Sequence, residues 1–184
     1  MNSRPRLVGL LAVPLLLAGC GGTSTPPSAS PSMAGMTGAA GAPPATAEMV
    51  CGADISSQVV QVLSLSAPPK TSTTWADSVY TCTYDLPMGA MVLSVQIAGS
   101  DAETTKLYEA DRRRLAPTEQ LAGLGEGAFG SSTGVTVVRK GHEVLTVDTT
   151  ALPEVFGVDD QKRDDLAYEV ASDVLGCWTG DGDE

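Results

Sequence analysis

This chain of 184 residues has little of what most catalytic and nucleic-acid-binding proteins draw on. It has one histidine, His142, so a site needing two or three imidazoles lacks its raw material. Eleven Lys and Arg stand against 22 Asp and Glu, a net charge of −11. Binding to phosphate backbones needs clustered cations, so nucleic acid is excluded as a partner. The one basic run, Arg112-Arg113-Arg114, lies in an acid-rich helical stretch and reads as a solvated face. Aromatic residues make up 4% of the chain, which leaves the core to aliphatic side chains. No two cysteines have Cys-x-x-Cys spacing, and no metal site or cofactor motif is read here. Long apolar runs are missing too. The longest, Leu7 to Leu17, is far short of the about 20 residues that span a bilayer.

What is present begins with that short run. Arg4 and Arg6 precede it and small residues follow it, the pattern of a signal peptide. It ends Leu17-Ala18-Gly19-Cys20, which resembles the lipobox of bacterial lipoproteins. The resemblance implies cleavage after residue 19, lipidation of the Cys20 thiol, and a chain held on the outer face of the cell membrane. Loss of Arg4 and Arg6 with the leader leaves nine basic against 22 acidic side chains, a charge of −13. A body so acidic is repelled by anionic headgroups and suits a stalk. The stalk is residues 20–48, with five prolines among Gly, Ser, Thr and Ala and no apolar periodicity. Met33 and Met36 in it are too few for a soft-metal site.

From 49 to 178 apolar periodicity appears, enough chain for a single domain; residues 179–184 form an acidic tail with Asp181, Asp183 and Glu184. The spacing predicts a helix over 54–63 capped by Asp54. Strands at 78–84 and 90–97 form a hairpin, with Met91, Leu93, Val95 and Ile97 on one face. A helix over 101–115 opens on a capping box of Ser100 and Glu103 and stops before Pro117. Ala128-Phe129 is a short strand, and 134–139 with 143–148 make a hairpin over Lys140-Gly141-His142. The last helix, capped by Asp159 or Asp160, carries Leu166, Ala167, Val170, Ala171, Val174 and Cys177 in one stripe. The order α-β-β-α-β-β-β-α predicts an α+β fold, a twisted antiparallel sheet with helices packed mainly on one face. The Ala, Gly, Thr, Val and Asp bias suggests an actinobacterium.

Outside the membrane cysteines oxidise. Three remain after Cys20, and Cys51–Cys82 is the favoured bridge, leaving Cys177 as a buried thiol; the alternative is Cys51–Cys177. Cys51, Cys82 and Gly123-Leu124-Gly125-Glu126-Gly127-Ala128-Phe129 resemble small actinobacterial cell-envelope lipoproteins of unknown function, a resemblance over about 50–178 that implies no activity.

Two readings of function follow. The first is a non-catalytic binding or interaction module, meeting an unknown envelope protein or a small apolar ligand on the sheet face. Trp75, read in a Ser/Thr-rich loop, is its candidate partner or ligand surface. The alternative is an envelope enzyme, which requires His142, Glu126 and Asp148 to converge in one cleft.

Overall fold

The computed structural model describes residues 41–115, 118–157 and 160–180. The expected leader and Cys20, most of the stalk with its methionines, Pro117, Asp159 and the acids of the tail lie outside these residues.

The chain runs through α1 (Ala45–Glu48), a 3₁₀ turn (Met49–Cys51), α2 (Ala53–Val62), β1 (Lys70–Ala76), β2 (Val79–Leu86) and β3 (Gly89–Ile97). It continues through α3 (Asp101–Arg114), β4 (Glu119–Leu121), β5 (Gly127–Ser131), β6 (Val135–Lys140) and β7 (Glu143–Asp148). A small ribbon, β8 (Val155–Phe156) with β9 (Gln161–Lys162), leads into α4 (Arg163–Gly180). Among the described residues seven strands form one antiparallel sheet in the order β1-β2-β3-β7-β6-β5-β4. The α+β architecture is therefore as expected: two meanders, joined where β3 pairs with β7 and connected by α3.

Register decides what each face carries, because side chains alternate along a strand. Leu93 lies opposite Cys82 and Val147, and Val95 opposite Tyr80 and Leu145, so these six share one face. Val138 joins them across from Leu145. All are buried against Ile55 and Val59 of α2 and Leu166, Val170 and Val174 of α4. The opposite face is covered at one end only. There α3 lays Tyr108 on Phe129, ring centroids 5.2 Å apart, over Val135, Val137 and Val144. Helices thus cover mainly one face, and β6 is buried on both. This explains why Val135 to Val138 is an unbroken apolar-and-threonine run rather than an alternation.

Several local expectations shift. β1 and β4 carry no apolar alternation; they form because β2 and β5 satisfy their backbone groups. Asp54 does not cap α2, which begins one residue earlier on Gly52, and Asp54 lies in its first turn. Asp160 does not cap α4: Gln161 and Lys162 are drawn into the ribbon, so the helix starts at Arg163 with Asp164 and Asp165 in its first turn. The capping box of α3 is displaced by a residue. Ser100 Oγ accepts from the Glu103 amide at 3.3 Å, but the Glu103 carboxylate accepts from Gly99 N at 2.8 Å.

Ordered structure begins before residue 49. Ala47 and Val50 are fully buried in the main core. Tyr84, also fully buried, donates its hydroxyl to the Val50 carbonyl at 2.7 Å. Next to it Cys51 is bonded to Cys82, closing a loop with a separation of 31 residues. Cys177 is buried on α4, outside that bridge.

Two predictions follow from this fastening. Cys51→Ser lowers unfolding free energy by about 3–4 kcal/mol in the chain-entropy account, measured by urea denaturation. Burial pushes the Tyr84 hydroxyl far above its ordinary pKa of 10, with Tyr80 adding to the shift. The unfolded chain therefore ionises first, and stability that is complete below about pH 10 falls as pH rises beyond it. Tyr84→Phe makes urea midpoints less sensitive to alkali, leaving a remainder to Tyr108, which burial also raises.

Candidate functional site

The glycine motif of residues 123–129 is accounted for by packing. Gly125 has φ +52°, and a Cβ there would meet the Arg139 carbonyl at 2.5 Å. Leu124 is buried in the main core, and Glu126 accepts from the Gly141 amide at 3.1 Å. The motif thus clasps the tip of the β6–β7 hairpin.

His142 sits at that tip, 3.1 Å from Asp101 at the start of α3, with both side chains more than half exposed. Asp148 lies at the far end of β7, roughly 20 Å along the strand at a rise of about 3.3 Å per residue. There it accepts from Thr150 N and Oγ1. Glu126 and His142 share one turn, and Asp148 does not reach it.

A serine pattern that sequence reasoning overlooked also finds its place here. Gly130-Ser131-Ser132-Thr133-Gly134 has Gly-x-Ser-x-Gly spacing. A nucleophile elbow needs a strand-to-helix turn, whereas this segment ends β5 and turns into β6. Gly134 has φ +92°, and the Ser131 hydroxyl shares a 2.8 Å hydrogen bond with Thr133 and accepts from Val135 N. Ser131 thus shapes the turn, and Ser132, which holds the central position of the pattern, is exposed on it.

Trp75 lies on β1, not in a loop. It is half-buried at the edge of the core, and its indole N–H donates to the Gly41 carbonyl at 2.6 Å. Trp178, in the last turns of α4, donates to the Thr46 carbonyl at 2.9 Å. The Thr46 hydroxyl in turn bonds the Glu143 carboxylate. Both tryptophans of the chain thereby hold the arm of residues 41–51.

The interior between sheet and α4 is filled by buried side chains, and open space lies at the rim. One cleft, of about 420 Å³, opens between β4, β5 and β6 and the start of α4. Glu119, Asp164 and Asp165 line it with carboxylates; Thr118, Ser132 and Thr136 bring hydroxyls. Leu121 and Tyr168 supply apolar surface, and Tyr168 is 41% exposed. Thr136 is only 2% exposed, and its hydroxyl makes no hydrogen bond among the described residues. Sequence reading did not single out these groups, because they come from four elements.

No protein-family model matches the chain, and neither a curated protein nor a solved structure is similar to it.

The arm's attachment is testable. Trp75→Phe removes a hydrogen bond worth about 1 kcal/mol. Amide exchange over residues 45–52 should then quicken about fivefold, read by hydrogen-exchange mass spectrometry. Trp178→Phe should have a larger effect, since it also leaves a void in the core. Exchange unchanged in both variants would mean that the indoles do not hold the arm.

Proposed function

We propose that this protein is a membrane-tethered, non-catalytic binding module of the cell envelope, lipidated on Cys20 and displayed on the outer face of the membrane. The observation that carries the binding part is the cleft at the start of α4. Its volume falls within the range of small-ligand sites, roughly 300–1,000 Å³, and it gathers polar groups from β4, β5, β6 and α4 beside an exposed aromatic ring. His142 and Asp148, which an enzyme reading would unite, lie at opposite ends of one hairpin.

The attachment geometry supports display. The arm is held by Trp178 near the C-terminal end of α4, and the cleft is lined by Asp164, Asp165 and Tyr168 at its beginning. Thirteen residues separate Asp165 from Trp178, about 20 Å of helix. The arm is therefore fastened at one end of the helix and the cleft lies at the other. Two or three acyl chains on Cys20, at about 0.8 kcal/mol for each buried methylene, make the attachment effectively permanent.

Cells fed a fatty-acid analogue should incorporate it into the wild type and not into Cys20→Ala, with only the wild type fractionating as lipid-modified membrane protein. The detergent-solubilised wild type should also be retained by isolated envelopes, and Tyr168→Ala should reduce that retention about tenfold, or 1.4 kcal/mol. Absence of label on the wild type sinks the anchor; retention indifferent to Tyr168 sinks the binding site.

A further inference from the structure

We infer that the cleft takes a saccharide ring bearing no acidic group, an inference that rests on the binding-module reading and names its ligand class. Charge narrows the choice first. The wall presents three carboxylates, Glu119, Asp164 and Asp165, and no Lys or Arg. None of them is in an ion pair among the described residues. A phosphate, sulfate or carboxylate ligand would be repelled by all three. A purely apolar ligand would strip water from the carboxylates and return no hydrogen bond.

The arrangement of the acids narrows it further. Among the described residues no three His, Cys, Asp or Glu side chains stand close enough together to hold a metal ion. The carboxylates are spread as separate acceptors, each able to take protons from hydroxyls. A single exposed ring, Tyr168, does not make the aromatic cage that organic cations favour. One ring beside Leu121 is instead a platform for the C–H face of a sugar, with the phenolic hydroxyl at its wet end.

Thr136 provides the independent sign of a ligand. A hydroxyl whose residue is almost wholly buried takes its hydrogen bonds from whatever fills the one space it still opens onto. This one, 2% exposed, has no protein partner among the described residues and faces the cleft. A ligand hydroxyl can both donate to it and accept from it. With Thr118 and Ser132 at the mouth and carboxylates alongside, the cleft alternates groups that accept with groups that do both. Neighbouring hydroxyls on a sugar ring ask for that pattern. A volume of about 420 Å³ accommodates one or two such rings.

The test uses the full chain in a detergent without a sugar headgroup, titrated with maltotriose, mannotriose, chitotriose and its deacetylated amine form, trigalacturonate and spermidine. Saturation-transfer NMR reads contact and calorimetry reads affinity. At least one neutral or amine-bearing trisaccharide should bind, and trigalacturonate should not. Tyr168→Ala should weaken the bound sugar at least tenfold and Thr136→Val about fivefold, while Thr136→Ser, which keeps the hydroxyl, should restore binding. Thermal unfolding of each variant checks that the fold is kept. The assignment is overturned if no trisaccharide binds, if trigalacturonate or spermidine alone binds, or if sugar binding ignores both positions. Should the sugars fail while Tyr168→Ala still reduces retention on envelopes, the ligand class is wrong and the binding module stands. Should retention be indifferent as well, both fall.

Discussion

The domain depends on the burial of one sheet face beneath α4. Leu93, Val95, Leu145, Val147 and Val138 meet Leu166, Val170 and Val174 there, all within a few per cent of full burial. Each such side chain contributes about 1.5–3 kcal/mol relative to exposure, set against the entropy of ordering it. No other element could replace α4 in this role. α2 is ten residues long, with two fully buried apolar positions, and α3 serves the opposite face. The sheet is covered twice only under α3, and β6 accordingly has no polar side. Towards β1 the second face is open, and Thr81, Thr83, Ser94 and Gln96 there are only half-buried.

On that frame the chain spends its scarcest residues on the arm. Two of its four cysteines, both tryptophans and a fully buried tyrosine converge on residues 41–51. The bonds differ in kind, but their effect is shared. They convert a Pro/Ala-rich lead-in, which has too little apolar surface to order itself, into part of the core. Under the proposed anchoring this is where the pull of a stalk would be received. A covalent bridge and indole donors reaching backbone carbonyls suit that place better than apolar contact alone.

The candidate site stands apart from this machinery. It lies at the rim, where the short strand β4 and the β5–β6 turn leave room before the first turns of α4. Its groups were hard to read in advance because each has an ordinary local explanation. Asp164 and Asp165 look like acids placed for a helix dipole, Ser131 and Ser132 like turn residues, and Glu119 like loop polarity. Only their convergence around one cleft, with Thr136 on its wall, makes them a candidate site. Trp75, which composition singled out, is by contrast engaged by Gly41. The motif around Glu126 is explained by glycine geometry and a turn amide.

The division between what sequence and tertiary structure decide follows the range of the forces involved. Elements whose signals lie within a few residues were legible: the stripe of α4, the cap of α3, the alternation of β2 and β3, and the turn at Gly141. So was the acidic charge, since composition needs no fold. The starts of α2 and α4 shifted because Gly52 and the β8–β9 ribbon competed for the same backbone. β1 and β4 exist only because remote partners satisfy polar backbones that have no apolar pattern of their own. The choice of Cys82 over Cys177 as the partner of Cys51 also required β2 to be placed beside the arm. A sequence records propensity along the chain; pairing, facing and convergence are properties of distance through space, and packing decides them.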